Sequence, residues 1–135
     1  MSRTLTMLCA VAVCTAAPAQ SEGLSHLPLL SEVAPDTVAI SPHVPQMGAH
    51  WANPANLPLG PIYCEIEGRV VCVEYLFAAS DLAEGMSWRE IAPGIETPPI
   101  TRIDMDFIPE GIPPMPVPLY QLHIYFAETG VLAAH

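Results

Sequence analysis

Two stretches of the chain alternate apolar and polar residues with a period of two, the pattern of a strand with one face buried. In the first, Ile100 to Ile108, the side chains of Ile103, Met105 and Phe107 fall on one face and those of Arg102, Asp104 and Asp106 on the other. The expectation is a strand with its apolar face packed inward and its charged face wet. In the second, Leu119 to Phe126, one face carries Tyr120, Leu122, Ile124 and Phe126, and the more polar face carries Gln121, His123 and Tyr125. Two further runs, Ile62 to Ile66 and Arg69 to Phe77, are rich in β-branched and aromatic residues and flank Glu67-Gly68, which reads as a β-hairpin. Ser80 to Glu84 begins like a capped helical turn, and Ser87 to Glu90 has the Ser-x-x-Glu spacing of a capping box, with Gly85 and Pro93-Gly94 as the stops. Pro109 to Pro118 holds five prolines in ten residues and predicts a rigid loop.

The start of the chain follows different rules. Arg3 precedes an apolar run from Leu5 to Ala17, and Ala17-Pro18-Ala19 fits a small-x-small cleavage site, so residues 1–19 read as a secretory signal peptide. The run is too short for a membrane anchor. Leu8 and Val13, before Cys9 and Cys14, stand where a lipoprotein needs a small residue. The expected location is periplasmic or secreted, after cleavage near Ala19. Residues 20–40 read as an extended arm, mobile before about Ala34, and residues 41–135 as a single β-rich domain. Prolines 28, 35, 42, 45, 54, 58 and 61 stand too close together for a helix of ordinary length. Further along, Met47 and Trp51 are expected to hold His43 to Trp51 against the sheet.

Composition narrows the fold class. Of 135 residues, 16 are proline, which excludes a helical bundle. The expected fold is mainly β, with α+β as the variant: a small antiparallel sheet, sandwich or barrel-like, with a Pro-rich N-terminal arm and short helical turns. Acidic residues outnumber basic ones 14 to 4, all four basic residues are arginine, and the formal net charge is −10. So acidic a chain is not expected to bind nucleic acid or anionic lipid.

Export would remove Cys9 and Cys14 and leave Cys64 and Cys72, one on each hairpin strand. In an oxidising compartment two such thiols pair. A three-residue turn over Glu67, Gly68 and Arg69 sets Cys64 across from Cys72, whereas a two-residue turn over Glu67 and Gly68 pairs Cys64 with Val71 and aims the thiols to opposite faces. The first register is the one expected. The rival reading is a thiol pair for copper(I), a poor chelate without further thiolates.

The polar residues that invite chemistry are His43, Met47, His50 and Trp51 in the Pro-rich segment, Glu74 on the second hairpin strand, and His123 with Tyr125 on the last strand. Gly48 lets the backbone turn between Met47 and His50. Glu74 lies among Val71, Val73, Tyr75 and Leu76, so if buried it needs a partner, and His123 is the natural one. Such a pair is either a structural hydrogen bond or part of a metal or proton-transfer site. Imidazoles and a carboxylate suit zinc, and the thioether of Met47 biases a site toward copper. The candidate metal residues are therefore His50, Glu74, His123 and Met47, and the candidate cofactor is a copper or zinc ion.

Three segments, Val44 to Trp51, Gly68 to Tyr75 and Leu119 to Phe126, together resemble a family of small exported bacterial proteins. That family carries Met-Gly-x-His-Trp and Tyr-x-x-His-x-Tyr segments around a Gly-Arg strand with Glu-Tyr. A thermophile member is a ring-forming protein under extracytoplasmic stress control, and the family has no assigned catalytic activity. The resemblance implies a compact β-rich domain able to form a homo-oligomer, and it directs attention to Met47, His50, Glu74 and His123. Gln121 departs from it, standing where an Asp is common.

Three functional readings follow: an exported domain binding a metal or small ligand, a structural or stress-related oligomer without a metal site, and a small hydrolase or isomerase using Glu74 and His123 as acid and base. No nucleophile elbow, phosphate loop, HExxH helix or CxxC pair supports the third.

Overall fold

A computed structural model of the chain describes residues 23–135. The expected signal peptide, residues 1–19, lies outside the described residues. Six strands form one antiparallel sheet: β1 (Val38–Ala39), β2 (Ala49–Ala52), β3 (Ile62–Ile66), β4 (Arg69–Ala78), β5 (Arg102–Ile108) and β6 (Leu119–Tyr125). Their order is β1-β2-β3-β4-β6-β5, which leaves β1 and β5 at the edges. The fold is mainly β, with helix among the described residues confined to the short α1 (Leu30–Val33), α2 (Ala79–Ala83) and α3 (Thr129–Leu132) and two 3-10 turns. Among the described residues no helix is long and apolar enough to cross a membrane. Strand β4 is paired on both edges, and every residue from Val70 to Phe77 is buried. Its near-continuous apolar run has that cause.

The β3–β4 hairpin keeps the expected opposition of Cys64 and Cys72 but reaches it through a different turn. Its turn has two residues, Glu67 and Gly68, both with positive φ (52° and 77°), and Ile66 pairs with Arg69. The Glu67-Gly68 conformation matches the right-handed twist of the flanking strands. Glu65 then pairs with Val70 but Cys64 with Cys72, so Val71 is an extra residue, a β-bulge. The bulge restores the opposition that a two-residue turn alone would destroy. Cys64 and Cys72 are joined as a disulfide with a Cα–Cα distance of 5.0 Å.

The N-terminal segment also differs from expectation. It is no loose arm: Leu24, Leu27, Leu30 and Ala34 are buried in the main core cluster. Val70 N–H donates to the Pro28 carbonyl, and the Arg69 guanidinium to the Leu27 carbonyl at 2.7 Å. Apolar residues at 24, 27 and 30 overrule the prolines because each gains a buried place against β4 and its neighbours. The Pro-rich segment that follows supplies β1 and β2, two strands too short for alternation to reveal. Ser87 to Glu90 forms no helix. Glu90 has a positive φ of 56°, outside the helical region, while Trp88 packs edge-on against Phe77 with ring centroids 4.8 Å apart.

Cross-strand partners share a face of the sheet, which fixes what lies on each side. One face carries Tyr63, Val73, Tyr75, Leu122 and Ile124 and continues onto Ile103, Met105 and Phe107 of β5. The loop after α2 covers only its middle, through Ile91, Pro93 and Ile100 around Val73, Tyr75, Leu122 and Ile124. At the β5 edge Ile103, Met105 and Phe107 are therefore 58%, 53% and 51% exposed, the reverse of the inward packing their alternation predicts. The more polar face of β6 is the buried one at Leu119, His123 and Tyr125. Two loops make it so: residues 40–48 and 109–118 both wall the cavity on that side.

Candidate metal centre

His50, Glu74 and His123 come from three strands and meet on the loop-covered face. Glu74 is directly opposite Ile62 on β3 and His123 on β6, and His50 is opposite Cys64. His50 thus reaches diagonally across β3 to Glu74. All three are buried, with 8%, 1% and 2% of their surface exposed. One nitrogen from each imidazole and a carboxylate oxygen lie within 4.8 Å of one another.

The distances suit a shared ion. His50 Nε2 is 3.3 Å and His123 Nε2 is 3.6 Å from the same oxygen, Glu74 Oε2. Ligand atoms bound tetrahedrally at zinc distances are about 3.3 Å apart. The other carboxylate oxygen, Oε1, accepts a hydrogen bond from Gln121 Nε2 at 2.9 Å. That donor holds the carboxylate and turns Oε2 toward the imidazoles.

Hydrogen-bond accounting assigns the His50 tautomer. Ser41 Oγ donates to the Pro42 carbonyl at 2.9 Å and accepts the His50 backbone N–H at 3.1 Å. With the Ser41 proton given to Pro42, its remaining lone pair faces His50 Nδ1 at 2.8 Å and Nδ1 is the donor. Neutral His50 then presents a bare lone pair on Nε2 to the lone pairs of Glu74 Oε2. Two acceptors at 3.3 Å need a positive charge between them. Burial pushes His50 below its ordinary value of 6.5, with His123 adding to the fall and Glu74 opposing it. Burial also pushes the Glu74 carboxyl up, but His123, His50 and the Gln121 donor outweigh it and hold the group below its ordinary 4.5. Neutral imidazole beside ionised carboxylate is the ligand state a metal requires.

Both ring nitrogens of His123 are buried and neither reaches a partner at hydrogen-bond distance among the described residues; Nε2 stops 3.6 Å from Glu74 Oε2, near enough to hold that carboxyl down. Its ring stacks on Tyr125 at 5.7 Å, and the Arg102 guanidinium lies 4.1 Å over the far ring. A buried imidazole that satisfies neither nitrogen is rare enough to need a cause.

The other candidates fall in different places. Met47 lines the cavity beside His50 and Glu74, and also the pocket beside His123, so it stands at the rim of the cluster. Its approach depends on the tight turn from Val44 to Gly48, where Gly48 has φ 82° and a Cβ would collide with the Glu65 carbonyl. His43 is exposed and its Nε2 meets the His135 carbonyl, away from the cluster. Trp51 alternates to the opposite side from His50 and lines a separate pocket with Leu30 and Glu65. Ser41 and Gln121 are the residues that sequence reasoning missed as supports. Only the separation of nine positions between Ser41 and His50, closing a turn between adjacent strands, hinted at the first.

No family model matches the chain, and no curated protein matches it. Among solved structures it is similar to the hypothetical protein TTHB210 from Thermus thermophilus, with a TM-score of 0.58 and 22% identity, covering 72% of this chain and 93% of that one. This likeness concerns the fold.

Proposed function

We propose that the chain is an exported domain that binds a divalent first-row metal ion, zinc foremost, through His50, Glu74 and His123. The observation that carries this is the facing of His50 Nε2 and Glu74 Oε2 at 3.3 Å in a buried site where Ser41 Oγ offers an acceptor to the other imidazole nitrogen. An ion supplies the charge that the protein omits. The unpartnered nitrogens of His123 support the same reading, as do the second partners Ser41 and Gln121, which orient the ligands as metal sites require. Three protein ligands leave a tetrahedral ion one open position, the arrangement of a site that takes a further ligand. The Cys64–Cys72 disulfide supports an oxidising compartment. The test is calorimetric titration of chelator-treated protein with zinc and with copper, beside a His50→Ala/His123→Ala double variant. One ion per chain is expected, with affinity falling at least about 100-fold in the variant. Equal affinity in both proteins overturns the proposal.

A second observation favours self-association, which is compatible with the first reading. Ile103, Met105 and Phe107 stand side by side on the outer strand β5 with more than half of each exposed. An apolar stripe on an unpaired edge strand is a surface that proteins ordinarily cover. A second copy of the chain is the proposed cover.

A further inference from the structure

The cluster opens onto a cavity of about 420 Å³, lined by Ile40, Val44, Ile62, Leu76, Ile112 and Pro113 around the edges of His50 and Glu74. Two of the three proposed ligands border it, while His123 borders the pocket on the other side of Met47. This volume falls in the range of sites that enclose small organic ligands.

The walls restrict what fits. They are aliphatic, and no Phe, Tyr or Trp side chain lines the cavity among the described residues. The polar groups on the wall are partly engaged, the Ser41 hydroxyl with Pro42 and His50 and one N–H of Gln121 with Glu74, which leaves the rest of the Gln121 amide as a neutral polar group on the wall. A polar ligand body would lose its hydrogen bonds to water and regain at most those of one amide. An apolar body gives up nothing. The charged valence at the cavity would be the open position of a metal held by His50, Glu74 and His123. A divalent ion with one carboxylate ligand keeps a net charge of +1 in an aliphatic enclosure, and a single anionic head neutralises it.

Resting on the metal reading above, we infer that the metal-loaded site binds an aliphatic carboxylate, its head on the open coordination position and its tail along Ile62, Leu76 and Ile112. Without the ion, buried Glu74 repels the same head group. The ion is thus the switch between rejecting and accepting the ligand.

The probes are acetate, hexanoate, octanoate and octylamine, titrated by calorimetry into the chain in its zinc-loaded and chelator-treated forms. Octanoate is expected to bind the zinc-loaded form at least about tenfold tighter than the metal-free form, and about tenfold tighter than hexanoate, since each two methylenes buried contribute about that factor. Octylamine should not share the zinc dependence. Ile112→Trp, which fills the cavity from the 109–118 loop, should weaken octanoate at least about tenfold and leave zinc affinity unchanged. Zinc binding without octanoate binding overturns this inference alone. Acetate binding as tightly as octanoate also overturns it, because the tail would then add nothing, and so does octanoate binding of equal strength with and without zinc. Failure to bind zinc removes both this inference and the metal reading.

Discussion

Gln121 on β6 donates its amide to Glu74 Oε1 on β4 at 2.9 Å, so a single oxygen of that buried carboxylate is left to face the imidazoles. The donor lies one step along the sheet from His123, on the same face and the same strand. Replacing it with Leu keeps the volume but frees the carboxylate to rotate. Gln121→Leu should weaken zinc binding about 10- to 100-fold, the usual consequence of removing a residue that orients a ligand. Calorimetric affinity checks it, and an unchanged affinity would show that the hydrogen bond is only structural.

Glu74→Gln separates stability from binding. The amide keeps an oxygen for Gln121 and places an NH2 before His50 Nε2, turning two facing acceptors into a hydrogen bond. The metal-free variant should be more stable than the parent by about 1 kcal/mol and should no longer bind zinc tightly. Urea denaturation of both chelator-treated proteins measures the first effect. A variant less stable than the parent would mean that the proton already sits between His50 and Glu74.

The metal-free protein should lose stability in acid in two stages. Folded His50 takes up a proton less readily than in the unfolded chain, so the unfolded state gains protons first as pH falls through 6.5, and stability drops. Folded Glu74 holds its charge below 4.5, so stability present above that value is lost further as pH falls below it. Thermal midpoints recorded between about pH 8 and pH 4 should decline in this order. A profile that is level through 6.5 contradicts the burial argument for His50.

The β5 edge gives a test of assembly. Replacing Met105 and Phe107 with Lys puts charge in the middle of the exposed apolar stripe and, if a second copy covers it, should convert a concentration-dependent assembly into monomer. Analytical ultracentrifugation of parent and double variant decides this. Monomeric parent protein at high concentration would exclude self-assembly through this face.

Parts of this molecule were legible in the sequence for physical reasons that can be named. The hairpin strands and the last two strands announce themselves because they are long enough for composition and alternation to show. Strands β1 and β2, two and four residues long, are too short for either signal. Alternation told correctly which residues of β5 and β6 share a face but not which face is covered, because covering depends on loops far away in sequence. The turn at Pro45 to Met47 beside His123 and the loop after α2, which covers Leu122 and Ile124 on the other face, decided it. His50, Glu74 and His123 could be singled out as polar groups among apolar ones, and their meeting needed only the strand order. Ser41 left only the faint signal of its spacing from His50, since a serine beside a proline has many uses and its role lies in the contacts of one hydroxyl.

Val71 carries a consequence that reaches well beyond the hairpin. Along any strand, parity decides the side on which a residue lives, and one extra residue reverses parity for everything after it. The bulge therefore does more than align two thiols: it assigns Glu74 and Leu76 to the side of the histidines and sends Val73 and Tyr75 to the other. The disulfide acts as the clasp on that choice, because Cys64 can meet Cys72 in one parity alone. Deleting Val71 should remove the bulge yet keep the Cys64–Cys72 disulfide and zinc binding, because the regular ladder of a two-residue turn then sets Cys64 opposite Cys72 and Ile62 opposite Glu74, whereas inserting a second residue beside Val71 should cost both.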